Sequence, residues 1–187
     1  MAFAAKTKKE RKPLEEPELF DYAVKALGRR MRTEVELRRL MATRVLPGAA
    51  GEALVAHVVA RLKEYGYLND ASFAETYARL RQENEKFGQR RVRQDMIQKG
   101  LKSELIDQTI EARYGQTDEA ALARQHLERK RLKKPTTDKE TARIVRRLVG
   151  AGFSVPTIYR VLREWDVTEL SLDGIENIDG DEPAILN

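Results

Sequence analysis

Side chains that could do acid–base or metal chemistry are few in this sequence. Its 187 residues include two histidines, His57 and His126, and no cysteine. The histidines are too far apart for a local metal motif, and each is more typical of a packed or surface residue than of a ligand. Without cysteine, disulfides, thiol catalysis and zinc–thiolate sites are excluded. There is no buried carboxylate pair, Walker loop or GxGxxG motif. We therefore predict a non-enzyme with no catalytic residue, metal or cofactor.

Cations are the chemistry that the sequence does offer. The formal net charge is +5, although residues 171–187 hold five acidic residues and no base, so the rest is more basic than that total. Arginine forks bind phosphates and carboxylates in two-point geometry, so a basic body predicts a polyanionic partner such as DNA, or an acidic protein surface. A solvated charged coat is the alternative. The candidate contacts are Arg81, Arg90, Arg91, Arg93, Lys99, Arg143, Arg146 and Arg147.

The segment before the densest arginine run predicts a capped helix over about residues 71–86. Asn69, Asp70 and Ser72 are all competent N-caps, and Ser72 has capping-box spacing to Glu75. One apolar face recurs at helical spacing. It comprises Phe73, Tyr77 and Leu80, of which we assign Phe73 and Tyr77 to the core.

The arginine run itself predicts a short basic helix over about residues 89–99. Gly88 before it and Gly100 after it are predicted helix stops. Asp95 lies four residues after Arg91, which predicts an ion pair on the helix surface.

Helical periodicity continues on both sides, and no segment alternates as a strand would. We predict an all-α protein of about nine helices in tandem three-helix repeats, helix-turn-helix-like and stacked into an elongated, curved molecule. Tyr65, Tyr114 and Trp165 close the three units at nearly equal spacing. Coincidence within one helical bundle is the alternative. The predicted boundaries are 1–17 (disordered, charged), 18–67, 68–115, 116–170 and 171–187 (flexible, acidic).

The last two predicted helices meet at a short glycine turn, as in a helix-turn-helix. The second of them has few base-reading residues on its predicted exposed face, which comprises Thr157, Arg160, Arg163 and Glu164. A stand-alone helix-turn-helix DNA-binding protein is the alternative function, and a structural adaptor without nucleic-acid contact is a third. No run could span a bilayer and no signal peptide is evident, so we expect a cytoplasmic location.

The middle segment resembles the central signature of the RecX family of regulatory proteins. That signature reads approximately Leu-Asp-Asp-x-x-Phe-Ala-x-x-Tyr, followed by Gly-x-x-Arg and Lys-Gly-Ile. The matching residues here are Leu68-Asn69-Asp70, Phe73-Ala74, Tyr77, Arg81, Gly88, Arg91 and Lys99-Gly100-Leu101. Asn69, Met96 and Leu101 are mild departures. The flanking units resemble the family's outer repeats, so the resemblance covers roughly residues 22–165.

The resemblance implies a fold and a role. The fold is the tandem array of three-helix repeats. The role is non-enzymatic modulation of the RecA recombinase. Members of the family enter the filament that RecA forms on DNA, and they restrain its ATP hydrolysis, strand exchange and coprotease action. It places the protein in homologous recombination, recombinational repair and the SOS response. The expected partners are the RecA filament and single- and double-stranded DNA, without a membrane, and the protein is expected to be a monomer. The signature residues Asp70, Phe73, Tyr77, Gly88 and Gly100 are expected to be mainly structural.

Overall fold

A computed structural model describes residues 12–165, which form nine α-helices and no strand. The all-α prediction is confirmed. Most of the predicted disordered segment 1–17 and all of the predicted acidic tail 171–187 lie outside the described residues. The helices are α1 (Glu16–Arg29), α2 (Glu34–Ala42), α3 (Ala49–Glu64), α4 (Asp70–Glu83), α5 (Gln89–Gln98), α6 (Ser103–Tyr114), α7 (Glu119–Arg129), α8 (Asp138–Gly150) and α9 (Val155–Arg163).

The chain divides into two compact units. Among the described residues, the first unit contains 12–73 and 99–101, and the second contains 74–98 and 102–165. The predicted repeat boundaries at 18–67, 68–115 and 116–170 stay a prediction.

In the first unit, α1, α2 and α3 enclose an aliphatic core. Leu19, Leu37, Met41 and Leu62 have no exposed surface. Apolar residues at helical spacing bury one stripe of each helix, which is the main source of stability for helices this short. Tyr65, which closes the first predicted unit, is 56% exposed. Helix α3 ends just before it, and Gly66, at φ +72°, turns the chain away.

The segment 99–101 packs against the start of α2. The Thr33 hydroxyl, fully buried, donates to the Lys99 carbonyl at 2.7 Å and accepts from the Glu36 amide at 3.1 Å, which caps α2. Gly100 has φ +77°, and a Cβ there would lie 2.8 Å from the Val35 side chain. Only glycine fits this left-handed, crowded position.

The start of α4 differs from the predicted capping box. Asn69 is the cap, because its side chain accepts from the Ser72 amide at 2.9 Å. The Asp70 carboxylate accepts instead from the Glu34 amide, also at 2.9 Å, at the N-terminus of α2. Leu80, predicted on the inner face of α4, is 42% exposed, whereas Ala74 and Ala78 are fully buried. Alanine side chains form part of the buried face of α4. A prediction from the spacing of large apolar residues does not detect them.

Gly88 was predicted as a helix stop, and this prediction is wrong. Helix α4 ends at Glu83, the chain turns through Lys86 at φ +54°, and Gly88 directly precedes α5. The Gly88 amide donates to the Ala151 carbonyl at 2.9 Å, and a Cβ at Gly88 would lie 2.3 Å from the Gly152 oxygen. Gly152 has φ +87°, and a Cβ there would lie 2.2 Å from the Arg91 backbone nitrogen, which is too close. The start of α5 and the α8–α9 turn therefore touch main chain to main chain.

Candidate polyanion-binding site

Helix α5 has one buried stripe and one basic surface. Val92, Asp95 and Met96 are buried, and Arg90 and Arg91 are exposed. The 3.6-residue period places positions 92, 95 and 96 on the same side, so Arg90 faces outward and Arg91 lies at the edge of the buried stripe, one turn before Asp95.

Asp95 is the centre of a cluster in the second unit. It was predicted in a surface ion pair, but its side chain is only 10% exposed. The Arg91 Nε lies 3.0 Å from Asp95 Oδ1, the Arg81 Nε lies 3.9 Å from Oδ2, and the Tyr77 hydroxyl donates to Oδ2 at 2.9 Å. Two guanidinium groups thus share one buried carboxylate. We call Tyr77, Arg81, Phe87, Arg91 and Asp95 the Asp95 cluster.

Aromatic rings support both guanidinium groups of this cluster. The Arg81 Cζ lies 4.9 Å from the centroid of the Tyr77 ring and 5.8 Å from that of Phe87, and the Arg91 Cζ lies 5.9 Å from the Phe87 centroid. Such cation–π contacts restrict long side chains that would otherwise sample many rotamers. Burial is the main cause that raises the pKa of Tyr77, so its phenol stays protonated and available as a donor to Asp95.

Two other predicted contacts are engaged within the protein. Arg93 forms an ion pair with Asp107 on α6. Lys99, in the first unit, places Nζ 3.0 Å from Glu36 Oε1 and 5.5 Å from the centroid of the Phe73 ring. Lys99 therefore helps to hold the segment 99–101 against α2.

The α8 arginines are Arg143, Arg146 and Arg147, and all three are exposed. Ile144, Val145 and Leu148 on the opposite side of the helix are buried. Within residues 12–165, no carboxylate lies in ion-pair contact with the α8 arginines, although the charge of Arg143 is among the causes that lower the pKa of Glu140. The charge of Arg147 is among the causes that lower the pKa of His126, which indicates that its guanidinium group lies near that buried ring.

Main-chain contact links the two arginine-bearing helices. The Ala151 amide donates to the Arg147 carbonyl at 2.9 Å, and the Ala151 carbonyl accepts from the Gly88 amide at the start of α5. Three hydrogen-bonded residues thus connect the last turn of α8 to the first turn of α5 within the second unit.

At the start of α9, where a helix-turn-helix protein would contact bases, the polar groups are bonded to other residues of the same chain. Thr157 was predicted to be exposed, but it is buried, and its hydroxyl donates to Glu119. The Ser154 amide donates to the same carboxylate at 2.9 Å, and Arg160 pairs with Asp118 at 2.9 Å. A carboxylate from α7 therefore caps α9, an arrangement that no local spacing could reveal.

Metal and membrane features were also sought among residues 12–165. No group of three or more metal-ligating side chains occurs there. No helix in that range is long and apolar enough to cross a bilayer.

Sequence reasoning missed the role of Asp95. The available signal was its position between Val92 and Met96, which puts it on the buried side of α5. Its pairing with Arg81 and Tyr77 was not accessible, because those residues lie on another helix.

The fold and the site together define an all-α protein built from short helices, with exposed arginines on α5 and α8. Residues 69–110 match the family model described as "RecX, second three-helix domain". The "Regulatory protein RecX" of Shigella dysenteriae is 31% identical over 154 residues, which cover 79% of this chain and 91% of that protein. The "Regulatory protein RecX" of Caldanaerobacter subterraneus is 27% identical over 149 residues, covering 80% and 71%.

A solved structure shares the fold. The crystal structure of RecX from Lactobacillus salivarius superimposes with a TM-score of 0.61 at 18% identity, covering 81% of this chain and 97% of that one. The chain belongs to the RecX family of regulatory proteins.

Proposed function

We propose that this protein binds RecA recombinase filaments on DNA and inhibits their ATPase, strand-exchange and coprotease activities. In this proposal it acts without enzymatic activity, as a cytoplasmic monomer in homologous recombination, recombinational repair and the SOS response. Membership of the RecX family of regulatory proteins supports a regulatory role. The DNA contact would be electrostatic and would serve single and double strands alike.

The observation that carries the proposal is the state of the α8 arginines. Many cations of this protein are paired internally, as Arg93 is with Asp107 and Lys99 with Glu36. Arg143, Arg146 and Arg147 are exposed and have no such carboxylate within the described range. Guanidinium groups bind phosphate strongly, and Arg146 and Arg147 would break no ion pair among the described residues when they do so. The three arginines are therefore suited to a DNA backbone.

A filament also suits a protein with several weak contacts. Each contact made along a repeating partner raises the effective concentration of the next, so modest individual affinities combine. The second and third predicted repeats, at 68–115 and 116–170, contain the candidate arginines and would distribute such contacts along the chain.

Base-specific reading by a stand-alone helix-turn-helix protein is less well supported. The side chain of Thr157 and the first-turn amide of α9 are bonded to Glu119 rather than available to a base edge. The third hypothesis, a helical adaptor without nucleic-acid contact, would leave the α8 arginines without a function.

The test measures RecA-dependent ATP hydrolysis on single-stranded DNA with purified protein added in substoichiometric amounts. The wild type should slow hydrolysis. We expect the variant R143E/R146E/R147E to need a more than about tenfold higher concentration for half-inhibition, since three phosphate contacts become repulsive.

A matched control reverses the same number of positive charges in the first unit. Lys25, Arg30 and Arg39 are exposed cations of the first unit, and K25E/R30E/R39E should inhibit like the wild type. Circular dichroism must show equal helicity in all three proteins. Unchanged ATP hydrolysis with the wild type would refute the proposed function, and equal losses in both variants would refute the specific role of α8.

A further inference from the structure

The Asp95 cluster has more cationic capacity than its internal pairing uses. We propose that Arg81 and Arg91 form a phosphate-binding pair for a DNA backbone and that Asp95 is the positioning residue that holds both. The inference deepens the proposed function and rests on it for the identity of the polyanion.

Charge counting supports a ligand. Asp95 carries one negative charge and faces two guanidinium groups, so one positive charge remains at the cluster. Each guanidinium group has five N–H donors, and Asp95 is approached through Nε in both cases, at 3.0 and 3.9 Å. The side chains of Arg81 and Arg91 are 37% and 48% exposed, so donors remain accessible to a ligand from solvent.

The cluster also lowers the entropic cost of binding. A free arginine loses rotamer freedom when it grips a phosphate. Here a buried carboxylate holds the Arg91 Nε at 3.0 Å and the Arg81 Nε at 3.9 Å, while the Arg81 and Arg91 Cζ atoms lie 4.9 and 5.9 Å from the Tyr77 and Phe87 ring centroids. The Tyr77 hydroxyl bonds to Asp95 at 2.9 Å and so fixes the carboxylate in turn. This is the arrangement expected of a preorganised site rather than of a single surface ion pair.

The surroundings favour phosphodiester over an acidic protein segment. Nearby acids are already paired, Glu83 with Arg113 and Glu85 with Arg129, and the α8 arginines are joined to the start of α5 through Ala151 and Gly88. Several cations in one unit suit a linear polyanion. The cations already lie over the rings of Tyr77 and Phe87, so contact with the backbone, without base preference, is expected.

Replacing Asp95 by asparagine separates positioning from general attraction. Removing a negative charge should tighten DNA binding if only the summed charge matters. If Asp95 positions the arginines, D95N should weaken binding by about five- to tenfold, as expected for loss of one or two ordered phosphate contacts. The measurement is fluorescence anisotropy of labelled oligo(dT) at fixed salt, with the full chain and without RecA.

Asp107 supplies the matched control. It also pairs with an arginine of α5, Arg93, but its side chain is 60% exposed. D107N makes the same chemical change and should bind oligo(dT) as tightly as the wild type or more tightly. Tighter binding by D95N, in parallel with D107N, would overturn the positioning role.

A second variant keeps the inference testable if D95N fails to fold. R81K/R91K retains the full charge but loses the planar fork, so we expect weakening of at least about fivefold. The control R93K, on the same helix, should stay within about twofold of wild type. Unchanged binding by folded R81K/R91K would overturn the phosphate-binding pair.

The two proposals fail separately. If wild type slows RecA ATP hydrolysis while D95N and R81K/R91K bind oligo(dT) normally, the phosphate pair is refuted and the proposed function stands. If these variants lose DNA affinity but wild type leaves RecA unaffected, the phosphate pair stands and the proposed function is refuted. Loss of binding to poly-glutamate with normal oligo(dT) binding would overturn DNA as the ligand.

Discussion

His126 illustrates how a single buried polar residue organises the turn between α4 and α5. Its ring is 2% exposed and lies 5.9 Å, between centroids, from both Phe87 and Phe153. Its Nδ1–H donates to the Glu85 carbonyl at 3.1 Å, in the turn between α4 and α5. Burial is the main cause that lowers the pKa of His126, and the charges of Lys130 and Arg147 act in the same direction. The ring is therefore neutral in the folded protein at pH 7.

This depressed pKa makes the free energy of unfolding depend on pH. The unfolded chain takes up a proton near the ordinary histidine pKa of 6.5, whereas the folded chain does not, so stability falls as pH drops through that value. We expect the free energy of unfolding to decrease between about pH 7.5 and 5.5, and we expect this decrease to be smaller in His126→Phe. Urea unfolding at the two pH values measures it.

His57 is the comparison for that experiment. Its side chain is 58% exposed and its Nε2 lies 3.3 Å from Glu16. H57Q should keep the wild-type dependence on pH, since the buried ring is untouched. An equal pH dependence in His126→Phe and wild type would show that other groups govern the acid sensitivity.

At the scale of helices, backbone contacts rather than side chains set how α5 meets the α8–α9 turn. Gly88 and Gly152 leave no space for a Cβ on either chain segment. Gly152 is also held at φ +87°, a left-handed conformation that costs a side chain-bearing residue extra free energy. The close approach of α5 to the α8–α9 turn thus depends on two glycines, which have no side chain.

Gly152→Ala should lower the free energy of unfolding by about 2–4 kcal/mol, because it adds backbone strain and a clash with the Arg91 nitrogen. Gly28 is the control, since it is helical and a Cβ there meets nothing within 4 Å. Gly28→Ala should leave stability unchanged or raise it by up to about 1 kcal/mol. Thermal unfolding followed by circular dichroism compares the two, and equal stabilities would contradict the close contact.

Local signals predicted the helices well and their partners poorly. Apolar spacing and helix-breaking residues predicted the number of helices that residues 12–165 form, because both signals act within one turn of chain. The burial of Thr157 was missed because its hydroxyl bonds to Glu119 on another helix, and the partners of Asp95 were missed because Tyr77 and Arg81 lie on α4. Gly88 was misassigned for the same reason: its constraint comes from Gly152, far along the chain.

At the scale of the whole molecule, the excess of cations makes ionic strength a direct probe of the proposal. The net charge is +5, with the acids of residues 171–187 offsetting a more basic remainder. Binding to DNA phosphates releases counterions, so affinity falls as salt rises.

We expect the logarithm of the oligo(dT) association constant to fall linearly with the logarithm of salt concentration between about 50 and 200 mM, with a slope of about −3 to −4 if some five arginines contact phosphate. The variant R143E/R146E/R147E should show a shallower slope, whereas K25E/R30E/R39E should keep it. A slope near zero for the wild type would exclude phosphate contact as the basis of binding.

The main-chain contact between Gly88 and the Ala151–Gly152 turn affects how the arginine-bearing surfaces of α5 and α8 could evolve. Because the spacing between α5 and the α8 turn is set by main-chain atoms, the arginines on the exposed sides can be exchanged without altering that spacing. Ligand preference and scaffold geometry are then separate targets of mutation. A protein engineer could replace Arg143, Arg146 and Arg147 with other side chains to redirect binding, provided that the two glycines are left in place.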